Sequence, residues 1–411
     1  MPKELFSLGK LYPSDFLADG EIPRSPKVEL KLVMEDNGIV HLSEMAHNDV
    51  LWGKYWYRSS VTQTMRDELR NIVESIFGVV DINAGEAWLD IACNDGTLLS
   101  IVRERAIRIG VDPAKGDVTR CTALECDVFI NDYFSKKSYL SSEHGWPRPK
   151  AKVVTCIAMF YDLQNPDRFL QDVSECMKDD GLFVMQLSYT PLMLKQLAFD
   201  NIVHEHWAYY DLRTLSNLLT ENGFKIVDVQ LNDINAGSMR VYIMKEIGNV
   251  EKFGSKPYRD VCEWRIKSLL DYEESQTWHP LEIWDTFHQK IQDLRLTVVD
   301  FIKKEKANGK KIWGYGASTK GNTLLQYFGL DSTLIEGIAE RSPEKYGLRT
   351  VGTNIKIYSE DEMRKASPDY LLLLPWHFIT EFKEREREYL MNGGKFIVPC
   401  PEFRIITKDD L

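Results

Sequence analysis

The stretch Trp88-Leu89-Asp90-Ile91-Ala92-Cys93-Asn94-Asp95-Gly96-Thr97-Leu98 leaves this chain few folds to choose from. An apolar run over residues 87–92 reads as a buried strand that ends in small residues and passes into a helix. Small residues let the backbone approach a ligand, and a helix N-terminus favours a polar or anionic group there. A second strand ends in Gly110-Val111-Asp112-Pro113. A carboxylate at that place can accept both ribose hydroxyls of a nucleoside. The first turn has Gly96 alone where a dinucleotide fold wants G-x-G-x-x-G, so it suits a nucleoside ligand that carries no pyrophosphate. A purely structural turn is the plain alternative, since many α/β folds bind nothing there. Asp132 follows the third strand, placed either to face an adenine or to cap a helix.

Around this turn the apolar runs 87–92, 107–111, 128–130, 153–160, 182–187, 226–231 and 239–244 read as strands, the last two close enough to form an antiparallel pair. Residues 312–315, 334–339, 355–358, 370–374 and 396–398 read as a second strand series. Between the two, residues 256–308 are helical, with a stripe of Phe287, Ile291, Leu294, Val298 and Phe301 and a stop at Gly309. This reads as a connecting helix packed on both sheets. Ahead of the first series, residues 30–33 and 39–42 flank Asp36-Asn37-Gly38, a hairpin signal. Val61, Met65, Leu69, Val73 and Ile76 mark a helix that Ser59 or Ser60 can cap. The chain of 411 residues is too long for one core. The fold expected is α/β, with two Rossmann-like domains and a small β-rich N-terminal lobe, divided at 1–57, 58–248 and 249–411.

The net charge of -11 disfavours nucleic acid as a partner, and no apolar run approaches a membrane span. The 7 cysteines, Cys93, Cys121, Cys126, Cys156, Cys176, Cys262 and Cys400, are scattered with no C-x-x-C, which reads as reduced thiols in a cytoplasmic protein. The sequence sets no oligomeric state.

Two segments concentrate reactive groups. Asp200-Asn201-Ile202-Val203-His204-Glu205-His206-Trp207-Ala208-Tyr209-Tyr210 packs two histidines, carboxylates and two tyrosines together. The H-x-H spacing can chelate zinc, but no third ligand is evident and H-E-x-x-H is not matched. A polar loop with a satisfied histidine is the plain alternative. The density of titratable groups instead suits removal of a proton from a carbon beside a ketone: histidine titrates near neutral pH, Glu205 can orient it, and phenols can donate to an enolate oxygen. The second segment is Gly314-Tyr315-Gly316-Ala317-Ser318-Thr319-Lys320-Gly321-Asn322-Thr323. Lys320 near a helix N-terminus suits a diphosphate. An NAD site remains open because Glu340 ends the next strand, although Thr319 stands where the third glycine belongs, and an empty strand-helix turn is equally open. Trp376 and His377 follow a strand at the end where such folds place ligands.

Taken in order, these segments resemble the nucleotide-deoxysugar C-methyltransferases of antibiotic-sugar biosynthesis. Tyr57 to Met65 is similar to the family's Y-x-S-x-x-x-x-M, Asp90 to Leu98 to E-I-G-S-N-D-G-T-L, and Gln196 to His206 to the segment ending in H-E-H. Gly237-Ser238-Met239-Arg240-Val241 is similar to G-G-S-L-R-V, and residues 314–323 to G-Y-G-A-x-x-K-G-N-T. The resemblance implies a class I methyltransferase domain using S-adenosylmethionine, with S-adenosylhomocysteine as product, a C-terminal Rossmann-like domain that helps hold the sugar nucleotide, and an N-terminal zinc lobe. It implies His206 as base, with Glu205, Tyr57, Tyr161 and His204 beside it. The cofactor would meet Asp90, Ala92, Asn94, Asp95, Gly96, Asp112, Pro113, Asp132 and Met159. The nucleotide-sugar substrate would meet Tyr209, Tyr210, Ser238, Arg240, Gly316, Lys320, Asn322, Trp376 and His377. The chain departs from the family in three places: Ala92 replaces the first glycine, Tyr161 stands where some members have histidine, and Met34-Glu35-Asp36-Asn37-Gly38 replaces C-x-x-C-G. The last change, with the upstream cysteine pair also missing, predicts a lobe without zinc. O- or N-methylation of a sugar or small molecule, an NAD-dependent sugar-nucleotide enzyme and a binding protein that has lost catalysis are the competing readings.

Overall fold

The computed structural model describes residues 2–52, 55–102, 106–115, 122–141, 148–276 and 281–411, so the expectation for Cys121 lies outside the described residues. The chain opens with β1 (Lys3–Leu11) and the short β2 (Phe16–Leu17). β3 (Val28–Met34) and β4 (Val40–Leu42) form the expected hairpin, pairing Leu32 with Leu42 and Met34 with Val40. β1 lies antiparallel against β3, a strand that its weak alternation concealed. At the former cysteine positions the turn is closed by Glu35 and Gly38 amides, and the Glu35 carboxylate meets His41 at 3.0 Å. This donor set has no thiolate and does not fit zinc. No cluster of three or more His, Cys, Asp or Glu suited to a metal occurs among the described residues.

The helix Gln63–Phe77 buries Met65, Leu69, Ile72, Val73 and Ile76. Its cap is Thr62, which accepts from the Met65 amide, and neither Ser59 nor Ser60. The backbone amides of those serines are spent elsewhere, on Asn94 and Asp95.

Seven strands follow: β5 (Ala87–Ile91), β6 (Ile107–Val111), β7 (Val128–Ile130), β8 (Ala151–Ile157), β9 (Met177–Ser188), then β11 (Phe224–Asn232) and β12 (Ser238–Lys245) after the intervening two-residue β10 (Ala208–Tyr209). Their order is β11-β12-β9-β8-β5-β6-β7, parallel except for the β11–β12 hairpin, which joins antiparallel to β9. This is the class I methyltransferase sheet. Strand pleating sends alternate residues to two cores. Trp88, Val153 and Val184 pack on one face with Ile72 and Ile76, while Leu89, Val154 and Met185 pack on the other with Leu170 and Leu215. The strand order reverses between β5 and β8, which places a crevice at the carboxyl ends of β5, β6 and β8.

The helical region is two helices, Lys256–Gln276 and Leu281–Ala307, that divide the two sheets between them. The first is fixed to the methyltransferase sheet by Arg265, bidentate to Asp228 at 2.8 and 2.7 Å, and by Glu273, which accepts from the Leu212 and Arg213 amides at a helix start. The second presents Trp284, Phe287, Ile291, Leu294, Val298 and Ile302 to a core shared by the N-terminal lobe and the C-terminal sheet. Phe6 of β1 lies 5.9 Å from Phe287 in it. Gly309 ends it in the left-handed region at φ 76, with the Lys310 amide reaching back to the Glu305 carbonyl.

The C-terminal sheet contains β13 (Ile312–Tyr315), β14 (Ile338–Glu340), β16 (Ile357–Ser359), β17 (Tyr370–Leu373), β18 (Lys395–Val398) and β19 (Arg404–Ile406), in the order β16-β14-β13-β17-β18-β19. Only β19 is antiparallel. Two strands tie distant parts together: β10 pairs with β4, and β15 (Arg349–Thr350) pairs with β2. Among the described residues no helix is long and apolar enough to cross a membrane, and all six cysteines are free thiols.

Candidate active site

The turn after β5 is built from three left-handed residues, Ala92 at φ 58, Asn94 at φ 51 and Gly96 at φ 77. Their backbone turns the Asn94 amide onto the Asp112 carboxylate at 2.8 Å, while the other oxygen of Asp112 accepts from the Ala114 amide at 2.8 Å. Asp112 at the end of β6 therefore stitches both strand ends together. Burial pushes its carboxyl up, and the two amides oppose that shift. Asn94 in turn accepts from the Ser59 amide at 3.1 Å and donates to the Tyr57 carbonyl at 3.1 Å, which docks the 57–60 segment over the turn. Asp90 is buried at the end of β5, accepts from Thr155 at 2.6 Å, and is pushed up to about 7 chiefly by burial.

A cavity of about 350 Å³ opens beside this turn. It is lined by Asp90, Ala92, Asn94, Asp112, Pro113 and Met159 from the methyltransferase sheet. The same cavity is lined by Tyr57, Tyr161, Glu205 and His206, and by Lys320 from the C-terminal domain. Three segments far apart in sequence thus share one space.

His206 is half-buried, and its Nδ1 lies 2.8 Å from the Asn201 carbonyl. A carbonyl only accepts, so Nδ1 carries the proton and Nε2 keeps its lone pair. Burial, with the Lys320 ammonium adding to it, pushes the imidazole down to about 3 rather than the near-neutral titration expected from sequence, so it stands neutral and is a weaker base than a free histidine. The Tyr161 ring lies 4.4 Å from the imidazole. Glu205 is buried, its Oε2 has no hydrogen-bond partner, and burial pushes its carboxyl up to about 7. Asp162 has a similar unpartnered buried oxygen, and burial followed by the charge of Glu205 pushes it well above the usual carboxylate range. Lys320 donates to the side-chain oxygen of Asn201, the residue whose carbonyl holds His206. Burial pulls its ammonium down to about 8, against the pull of Asp200.

Several expected site residues lie outside the cavity lining, and their contacts are with the protein itself. His204 is buried and bonded through Nε2 to the Val28 carbonyl at 3.0 Å, which anchors the loop to β3 outside the cavity wall. Tyr209 and Tyr210 are core residues, Tyr209 in β10 and Tyr210 against Phe160 at 5.5 Å. Ser238 donates to the Ile234 carbonyl at 2.9 Å. Arg240 is buried in an ion pair with Glu68 at 2.7 Å, further bonded to Gln186 and Asn71. Asp132 is exposed and accepts from the Tyr133 amide, leaving Tyr133 and Phe134 to line the cavity in its stead. Asp95 and Gly96 shape the turn without lining it, Asp95 by accepting from Thr97 and the Ser60 amide.

The second glycine turn is filled by its own chain. A Cβ on Gly316 would lie 2.7 Å from Pro375, and the Glu340 carboxylate accepts from the Ala317, Arg341 and Ser342 amides. The acidic residue that a ribose would need is therefore spent on closing the turn, which argues against NAD. Asn322 donates to Ser14 and to the Asp15 carbonyl, a tie to the N-terminal lobe. Trp376 donates to Asp200 at 3.1 Å, and burial of His377, followed by the Lys320 charge, pushes its imidazole well below the usual range; neither lines the cavity. The sequence reading missed Tyr55, Asp162 and Thr319, all in the cavity wall. Asp162, directly after Tyr161 at a strand end, was the one with a visible signal.

Two family models match one after the other: residues 57–229 fit the methyltransferase domain, and residues 233–401 fit the C-methyltransferase C-terminal domain. The C-methyltransferase NovU of Streptomyces niveus is 28% identical over 373 residues, covering 90% of this chain and 86% of that protein. Among solved structures, magnesium protoporphyrin IX methyltransferase of Synechocystis PCC 6803 overlaps 46% of this chain and 90% of its own at 13% identity and a TM-score of 0.35. The plantazolicin methyltransferase BpumL overlaps 45% and 86% at 12% identity and a TM-score of 0.36. The sheet order and the matched domains define an S-adenosylmethionine-dependent methyltransferase. Within that class the chain is similar to the C-methyltransferases: residues 233–401 match their C-terminal domain model, directly after the methyltransferase-domain match.

Proposed function

We propose that the protein methylates a carbon beside the ketone of a nucleotide-linked 4-keto-6-deoxysugar, with His206 as the base. The observation that carries this reading is the His206–Asn201 hydrogen bond at 2.8 Å, which leaves Nε2 bare in the cavity that Asp112 also lines. S-adenosylmethionine, when bound, supplies an electrophilic methyl group on a sulfonium. The residues that fit it are Asp112 for the ribose hydroxyls, the Asn94 turn for its amino-acid end and Met159 for the adenine side. Their fit rests on the left-handed turn, which brings backbone close to the space beside Asp112.

A carbon beside a ketone is a nucleophile only after losing its proton. His206 takes that proton at Nε2, and its Nδ1–H bond to Asn201 holds the ring in plane for the transfer. Glu205, buried with no partner on Oε2, lines the same cavity as His206. Tyr161 packs its ring on the imidazole and limits its rotation.

The test is methyl transfer from ¹³C-methyl-labelled S-adenosylmethionine to thymidine diphosphate 4-keto-6-deoxyglucose, read by carbon NMR. A new methyl resonance coupled to a sugar carbon supports the proposal. A methyl on oxygen or nitrogen would replace it with O- or N-methylation.

A further inference from the structure

We propose that Lys320, delivered by the C-terminal domain, is the cation that receives the developing enolate oxygen during proton removal. This rests on the carbon-methylation reading above. Among the described residues lining the cavity, Lys320 is the only lysine or arginine, facing four carboxyls, Asp90, Asp112, Asp162 and Glu205. It sits at the start of the helix Thr319–Phe328, in a segment that the sequence suggests for a diphosphate. The cavity does not match that ligand: one ammonium cannot balance two phosphate charges. It does match a single oxygen whose charge appears only in the transition state.

The geometry ties the ammonium to the base. Lys320 Nζ donates to the Asn201 side chain, and the Asn201 carbonyl accepts from His206 Nδ1, so cation and base are held on one residue. An ammonium has three donors, and Asn201 takes one of them. Asp200, whose carboxylate accepts from Trp376 at 3.1 Å, favours the charged form of Lys320 through its negative charge. The balance is complete with these groups. The C–H pair moves into the enolate double bond while its proton goes to His206 Nε2. The carbonyl pair moves onto oxygen, where a Lys320 N–H donates. The carbon then takes the methyl group as the carbon–carbon bond forms and the methyl–sulfur bond breaks, its electron pair staying on sulfur. The carbonyl re-forms, and the proton leaves His206 for solvent.

Enolisation can be read without methylation. With S-adenosylhomocysteine bound, thymidine diphosphate 4-keto-6-deoxyglucose in D₂O should take up deuterium beside its ketone. Lys320→Met and Lys320→Gln are each expected to slow uptake about 100-fold or more at saturating probe, with S-adenosylhomocysteine affinity kept as evidence of folding, and Lys320→Arg to recover part of it. Gln keeps a donor for Asn201 but no charge. Uptake by Lys320→Gln within about threefold of the wild type would reduce Lys320 to a brace and overturn the proposal. So would an unchanged saturated rate with a raised KM, the sign of a diphosphate contact. A wild type that binds S-adenosylhomocysteine but neither exchanges nor methylates the probe on carbon would instead remove the ketone reading itself, and Lys320's role with it.

Discussion

His206 Nδ1 and the carbonyl of Asn201 lie 2.8 Å apart, and this contact decides which nitrogen of the imidazole can act. With Nδ1 committed, Nε2 is the nitrogen left to take a proton in the proposed reaction, with no tautomer change beforehand. His206→Asn removes the base and keeps a polar side chain of similar reach. We expect methyl transfer to fall about 10²- to 10⁴-fold while S-adenosylhomocysteine binds as before. Activity equal to the wild type would remove His206 from the role.

Asp112 accepts from two backbone amides and still lines the cavity. Asp112→Asn can satisfy only one of them and loses its charge toward ribose hydroxyls. Calorimetric titration should show S-adenosylhomocysteine binding weakened roughly 10- to 100-fold. Affinity kept within about threefold would move the nucleoside away from β6.

The Glu205 carboxyl is raised from 4.5 to about 7 by burial, so the folded state favours its protonated form. Its contribution to stability is complete below about pH 4.5, shrinks as pH rises and is gone above about pH 7, a loss of at most about 3 kcal/mol. Glu205→Gln lacks this term. In urea unfolding of the ligand-free protein, the variant should gain on the wild type between pH 5 and pH 8; a difference that stays flat with pH would show that Glu205 is not buried unpaired.

Ala92 holds φ 58, a conformation that costs an L-residue about 1–2 kcal/mol. Ala92→Gly removes that strain and adds chain entropy to the unfolded state, for a net gain of about 1 kcal/mol or less, with cofactor affinity retained. Ala92→Val, β-branched at the same φ, should lose stability and affinity together. A Tm that falls in Ala92→Gly would contradict the strain argument.

Arg240 and Glu68 form a buried pair at 2.7 Å. Arg240→Ala leaves Glu68 without its partner and should cost roughly 3–5 kcal/mol of stability. In whatever protein remains folded, KM for the sugar nucleotide should be unchanged; a large rise in KM at normal stability would restore Arg240 to the substrate site.

The sheet was legible because its strands are apolar runs bounded by charge, and the residues at strand ends, Asp90 and Asp112, announced the cavity. His206, Glu205 and Lys320 were legible as unusual chemistry in short segments. What sequence could not separate was chemistry from packing within one motif. His204 and His206 are two residues apart, and only the fold shows that one faces β3 and the other the cavity. Ser238 and Arg240 belong to a recognisable segment whose constraint is a buried ion pair. Tyr55 and Thr319 gave no distinctive pattern, since their place in the wall depends on strand ends and loops that meet only in three dimensions.

The N-terminal lobe takes strands from far down the chain: Val40 and His41 of β4 pair with Tyr209 and Ala208, and Phe16 and Leu17 of β2 pair with Thr350 and Arg349. Synthesis runs from the N-terminal side, so β2 and β4 emerge long before the strands at 349–350 and 208–209 that pair with them. The β3–β4 hairpin can form at once, but its outer edge waits for residue 209 and β2 waits for residue 350. The lobe is thus completed only after the methyltransferase sheet, and a nascent chain stalled before residue 350 carries that sheet while β2 of the lobe still lacks its partner.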